Sequence, residues 1–379
     1  MRISVVMGFF LPMPPAAGGA TEKSWHELAL ELARRGHTVT ILSRQWNGWP
    51  ERETRDGVHY VRLRGYNHTR RLALNLWLDF WWSLRTWRNL PPADVTVVNC
   101  VALPVWLGWL RGSCGRLVVM PGRVPKGQYH LYRRLDRVLA VSSPVRDAVL
   151  SENPRLAPVT RVFGYPIRWR ELAQPRPEYA TGSPLTIGYI GRIHREKGLD
   201  LLVAALGKLA GTAGLPPWRV VLCGPQDVEQ GGSGVAYARQ LEHALAAALP
   251  AGTFELRPAE FAPSRLAEVY RSLDVFCYPS LATQGETFGV AVAEAMAAGA
   301  VPVVSDLPCF RDFVRAGENG EIFDHTAADA AVQLAAAIAG LLADPVRRAR
   351  LADAARRSAR YYDFTACADR LLQDFSTLK

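Results

Sequence analysis

Hydrophobic positions along this chain follow two periods in turn. Ile3 to Met7 is apolar apart from Ser4; beyond Gly18-Gly19, Trp25, Leu28, Ala29 and Leu32 recur at helical spacing; Gly36 then leads into His37 to Leu42, a strand-like segment rich in Val, Thr and Ile. The pattern predicts strand, amphipathic helix and strand, a βαβ unit. Further strands are predicted at 58–63, 94–98, 117–120 and 138–141, after which Ser143-Pro144 opens a helix. From residue 185 the grammar restarts, with strands at 185–190, 219–223, 275–278 and 301–304 and helices at 198–209, 237–248 and 290–298. Strands separated by helices make parallel sheets, so the fold class is α/β with two doubly wound domains. The stretch 173–184 carries three prolines and no apolar period, and reads as a linker. Residues 329–375 are helical in pattern almost throughout, long enough to pack across two domains as well as to finish one.

Composition supports this division. A chain of 379 residues exceeds one ordinary domain of about 100–200 residues, and 49% hydrophobic with 21% charged residues excludes a disordered or fibrous chain. Six cysteines without CxxC or Cys/His ligand spacing argue against a disulfide scaffold and a zinc site, and for a reducing compartment. The N-terminal run superficially resembles a signal peptide but reads as a buried first strand. No apolar run reaches the ~18 residues of a membrane span.

Charge is uneven. Residues 1–172 hold 25 Lys and Arg against 12 Asp and Glu, and the remainder 20 against 23; nine of the eleven tryptophans precede residue 110. Residues 70–88 read as a helix carrying four tryptophans between arginines, with Trp77, Phe80, Trp81, Leu84 and Arg88 at three- and four-residue steps. Such a stripe either packs on the sheet or lies on an anionic membrane surface, and the basic excess of this half favours the membrane. No nucleic-acid recognition motif accompanies the charge.

Ligands of doubly wound sheets bind beyond the strand C-termini, so the chemistry is expected in turns, where the two domains would face one cleft. The turn Gly191-Arg192-Ile193-His194-Arg195-Glu196-Lys197-Gly198 is neither a P-loop nor a dinucleotide fingerprint. It offers Arg192 and Lys197 beside a helix start, a pairing suited to a diphosphate, though alone it reads equally as an exposed basic loop. The segment 285–299 enters a helix apolar nearly all round whose single ionisable residue is Glu294. A buried carboxylate there requires a protein partner or a polar ligand. Glu286 precedes that helix, and the amides of Phe288, Gly289 and Val290 stand at its start.

The pair Glu286 and Glu294 with seven residues between, in PSLATQGETFGVAVAEAMAAGAVPVVS, resembles the E-x7-E signature of retaining glycosyltransferases of family 4; GRIHREKG is similar to that family's G-R-x4-K-G turn. The resemblance implies a GT-B fold of two Rossmann-like domains, here 1–172 for the acceptor and 185–360 for the nucleotide sugar, with a helix in 361–379 returning to the first. It implies a nucleotide-sugar donor, retention at the anomeric carbon, no metal, and no cofactor besides the donor as substrate. By position, Arg192 and Lys197 would clamp the diphosphate, Thr287 to Val290 would add donors to it, Glu294 would take the ribose hydroxyls, and Glu286 would lie at the donor sugar. Gly18-Gly19 would let first-domain backbone approach the phosphates. The implied acceptor is a glycan or a lipid-linked molecule of cell-surface polysaccharide or glycolipid synthesis, handled in the cytoplasm or at the inner face of the plasma membrane. One departure stands out: Met120-Pro121-Gly122-Arg123 occupies the place where many members carry a donor-binding His, and His130 and His37 do not replace it. A sugar-nucleotide epimerase of the same fold and a noncatalytic partner subunit are the alternatives.

Overall fold

A computed structural model of the chain describes residues 1–16, 19–176, 182–283 and 285–378, so Gly18 and residues 177–181 of the linker lie outside the described residues. Two compact units emerge, Met1–Pro166 with Phe364–Lys379, and Ile167–Asp363.

The first unit is built on an eight-stranded sheet: β1 (Arg2–Val6), β2 (Thr38–Arg44), β3 (Arg52–Arg55), β4 (Val58–Leu63), β5 (Val95–Val98), β6 (Arg116–Val119), β7 (Arg137–Ala140) and β8 (Thr160–Val162), in the order β3-β4-β2-β1-β5-β6-β7-β8. All neighbours are parallel except β3 and β4, which form a hairpin closed by Asp56 and Gly57 at φ 52° and 79°. Two consecutive positive φ values are what a two-residue hairpin demands, and Asp-Gly supplies them. Because β3 is polar and exposed, the hydrophobic pattern does not reveal it. Helix Ala20–Arg34 buries Trp25, Leu28, Ala29 and Leu32 as their spacing predicts. The C-terminal helix Phe364–Ser376 belongs to this unit, where Arg35 bonds Asp369 and the Thr365 carbonyl at 3.1 and 3.0 Å and Arg137 meets Asp374 at 2.8 Å.

The second unit holds β9 (Leu185–Ile190), β10 (Trp218–Cys223), β11 (Phe254–Arg257), β12 (Val275–Tyr278), β13 (Val301–Ser305) and β14 (Glu321–Phe323), all parallel, in the order β11-β10-β9-β12-β13-β14. The chain starts centrally, winds out through β10 and β11, and returns to the other side of β9. The reversal makes the β9/β12 boundary a switch point, where a crevice opens beyond the strand ends. No single helix among the described residues is long and apolar enough to cross a membrane.

Helix Leu72–Asn89 departs from the simple packing alternative. It buries Asp79, Ser83 and Thr86 with Leu78 and Trp82, while Trp77 and Trp81 of the stripe stay exposed. Asp79 Oδ2 accepts from the amides of Val101 and Ala102 at 3.0 and 2.6 Å, at the start of helix Leu103–Leu107. Burial pushes the Asp79 carboxyl up to about 6, against the pull of those two amides. A carboxyl raised in the folded state contributes most at low pH and loses that contribution as pH rises through about 6. Asp79→Asn, which cannot ionise, should therefore gain on the native protein by about 2 kcal/mol between roughly pH 4.5 and 7.5. Urea denaturation at both pH values reads the difference, and parallel curves would overturn it.

Candidate active site

The switch point of the second unit joins two loops. Strands β9 and β12 pair through Ile187 with Val275 and Gly188 with Phe276, then run into the turn 191–198 and the loop 279–289. Gly198, at φ 67°, lies against the Pro279 carbonyl, where a Cβ would collide, and the Leu281 amide donates to the Glu196 carbonyl at 2.7 Å. The turn carrying Arg192 and Lys197 is thus fastened to the loop carrying Glu286.

Lys197 Nζ donates to Glu286 Oε2 at 2.6 Å, and Ser280 Oγ donates to the same oxygen at 3.1 Å. Both charged side chains are largely buried, 5% and 10% exposed. Beneath them Tyr189 and Tyr278 stack at 5.6 Å with planes 16° apart, and Nζ sits 5.5 Å from the Tyr278 ring. Burial, and then the Glu286 carboxylate, push the Tyr278 hydroxyl well above its ordinary value, so it remains a neutral donor. The Tyr189 hydroxyl donates to the Arg192 carbonyl at 2.7 Å and shapes the turn from below. The Arg192 guanidinium reaches Glu196 Oε1 at 2.6 Å and the Gly231 carbonyl at 3.0 Å. Each predicted phosphate cation therefore rests on a carboxylate: Lys197 on Glu286 and Arg192 on Glu196. A buried ion pair is seldom the most stable filling of such a space, which points to use by a charged ligand.

Helix Val290–Ala297 follows the loop. Its N-cap Gly289 has φ 89°, and a Cβ there would come 2.5 Å from a Phe310 ring carbon. Being at the start, the Val290 and Ala291 amides have no upstream partner within the helix. Gly289→Ala should cost about 1–3 kcal/mol in left-handed strain and ring displacement. Chemical denaturation measures this, and an unchanged midpoint would refute the fit. Phe288 is buried against Phe313 and Tyr362, ring centroids 5.0 and 5.1 Å away, so its side chain braces the loop. Glu294 lies on the second turn, half-buried, with the fully buried Tyr270 hydroxyl donating to Oε2 at 2.9 Å. The partner its position demanded is thus in part supplied by the protein.

In the first unit Gly18 lies outside the described residues and Gly19 has φ 88°. A Cβ on Gly19 would collide with the Glu22 carboxylate. Glu22 is buried in the first turn of its helix, raised by desolvation and opposed by its own backbone amide and by Arg123. At Gly122, the place of the missing histidine, a Cβ would collide with the Tyr165 hydroxyl and come 3.1 Å from Thr21 Oγ1. A side chain there would require the Tyr165 ring to move.

Sequence reasoning missed Glu196, Ser280, Tyr189, Tyr278, Tyr270 and Glu22. Glu22 alone left a signal, a charge three residues before Trp25 on the core-facing stripe. The tyrosines read as ordinary strand or helix residues.

Residues 17–162 match Glycosyltransferase Family 4, and residues 174–358 match Glycosyl transferases group 1. Over 112 residues the chain is 39% identical to the phosphatidyl-myo-inositol mannosyltransferase of Mycobacterium leprae (strain TN), covering 30% of this chain and 29% of that protein. The match thus spans under a third of that relative's length. Among solved structures, sucrose-phosphate synthase from Thermosynechococcus elongatus superposes with a TM-score of 0.76 at 20% identity, covering 100% of this chain and 98% of that one. Trehalose-6-phosphate from E. coli bound with UDP-2-fluoro glucose gives 0.74 at 14% identity, with full coverage of both chains. With one family description on each half and two largely parallel doubly wound sheets, the chain belongs to the group 1 and family 4 glycosyltransferases, of GT-B fold.

Proposed function

We propose that the protein moves a sugar from a nucleotide-sugar donor to a glycan or lipid-linked acceptor, with retention at the anomeric carbon and without a metal ion. The observation that carries this reading is the buried Lys197–Glu286 pair with Arg192 beside it, at the switch point of the second sheet. An arriving diphosphate would compete with Glu196 for Arg192 and share Lys197 with Glu286, while the first-turn amides of the following helix add neutral donors. When the bond from C1 to the diphosphate oxygen breaks, negative charge grows on that oxygen, and the two cations stabilise it where a metal would otherwise be required. The acceptor hydroxyl forms the new bond to C1 on the face the diphosphate leaves, and its proton passes to the departing phosphate. Glu286 would orient the sugar hydroxyls, Glu294 with Tyr270 would hold the ribose, and the first unit would take the acceptor.

Support comes from the family, from the lipid named in the mannosyltransferase relative, and from the UDP-sugar held by the E. coli structure. We place the protein in polysaccharide or glycolipid synthesis, peripheral at the cytoplasmic face of the membrane. The test is a thermal-shift screen with UDP-, GDP-, ADP- and dTDP-sugars, followed by transfer assays and anomeric NMR of the product. One donor class should stabilise the protein, roughly by RT ln(1 + [L]/Kd), and turnover should persist in EDTA. Loss of turnover on chelation would refute metal independence. An epimerised donor accumulating without acceptor would refute transfer.

A further inference from the structure

We propose that the outward face of helix Leu72–Asn89, with the adjoining Trp109-Leu110 turn, docks on the headgroup layer of an anionic lipid bilayer. This deepens the peripheral placement proposed above and rests on it.

The helix is inverted. Three of its polar residues point inward and are bonded: Asp79 to the Val101 and Ala102 amides, Ser83 Oγ from Trp106 Nε1 at 3.1 Å, and Thr86 Oγ1 to the Trp82 carbonyl at 3.0 Å. Leu72, Leu76, Trp77 and Trp81 meanwhile stand 64%, 47%, 57% and 44% exposed. A helix facing only water would place these two sets the other way round. The surface continues beyond the helix. The Trp106 ring meets Phe80 edge-on at 5.6 Å, which keeps the next segment beside the helix, and Trp109 and Leu110 are 56% and 51% exposed.

Charge selects the occupant. Between Asp56 and Asp94 the sole acidic residue is Asp79, and it is buried, whereas Arg70, Arg71 and Arg88 are exposed around the apolar face. The Arg134 guanidinium lies 4.5 Å over the Trp109 ring. Indole rings sit at the headgroup depth of a bilayer, and arginines beside them meet lipid phosphates, so a surface of tryptophan, leucine and arginine with no outward acid matches an anionic leaflet.

The full chain is incubated with vesicles of phosphatidylcholine alone or mixed with phosphatidylglycerol, then sedimented; brominated lipids report tryptophan depth by quenching. Binding should require the anionic lipid and weaken at least about tenfold in roughly 0.5 M salt. Trp77→Ser, Trp81→Ser and Trp109→Ser combined should lose at least about tenfold in binding and the quenching with it. Being surface changes, they should leave circular dichroism and the nucleotide-sugar thermal shift as in the native protein. Native protein remaining in the supernatant at low salt, or a triple variant that binds equally well, would overturn the proposal. A concentration-dependent dimer dissolved by the same substitutions, without vesicle binding, would also overturn it and assign the face to a second copy. Vesicle binding without any nucleotide-sugar response would leave this surface standing and remove the transferase reading instead.

Discussion

Replacing Lys197 by Met should lower turnover by about 10²- to 10³-fold, the usual consequence of losing one preorganised charged donor at a developing oxyanion. The same change should reduce stability by about 3–5 kcal/mol, because it leaves the Glu286 carboxylate without its cation in a site where it is 10% exposed, with the Ser280 and Tyr278 hydroxyls still bonded to it. These effects have different causes, and a second substitution separates them. Adding Glu286→Gln removes the stranded charge, so the double variant should regain most of the lost stability while turnover stays low. Urea denaturation and single-turnover kinetics on the four members of the cycle give both coupling energies. A double variant that regained turnover along with stability would make the pair purely structural, and Lys197→Met with native turnover would remove Lys197 from the chemistry.

That cycle also shows what can be read from the chain and what cannot. Lys197 and Glu286 are each visible in short motifs, yet nothing in a linear reading says that they touch. They meet because β9 and β12 are sheet neighbours while β10 and β11, which lie between them in the chain, are wound to the far side. Strand order is a property of the whole sheet, and hydrophobic period carries no record of it. The buried strands were readable because apolar and β-branched residues dominate them. The edge strands β3, β8, β11 and β14 were not, being three or four residues long and largely half-exposed or exposed. Helix Leu72–Asn89 was visible as a helix with an aromatic stripe. Which way the stripe faces depends on Asp79, whose carboxylate is drawn inward by two loop amides 22 and 23 residues downstream.

Arg192 should prove as indispensable as Lys197, but for a different reason, and its partner Glu196 should prove dispensable. Its side chain is 43% exposed and its bridge to Glu196, 35% exposed, spans four residues of the turn. Solvent-exposed ion pairs contribute only about 0.2–1 kcal/mol, so exchanging this carboxylate for a diphosphate costs little. Glu196→Gln should therefore change stability by less than about 1 kcal/mol and bind the donor slightly more tightly, since the competing charge has gone. Arg192→Ala should lose about 10²-fold in kcat/KM, as expected for one charged donor at the leaving group. Arg192→Lys should recover little of it, because an ammonium cannot span the Gly231 carbonyl and a phosphate oxygen as a planar guanidinium does. If Glu196 acts only as the resting partner, its variant changes KM and leaves kcat alone, whereas Arg192→Ala lowers kcat as well, since the charge it meets is largest when the C1–oxygen bond is breaking. A Glu196→Gln variant with strongly reduced kcat would place that carboxylate in the reaction itself, and efficient rescue by Arg192→Lys would show that charge alone, without the fork geometry, is what the diphosphate requires.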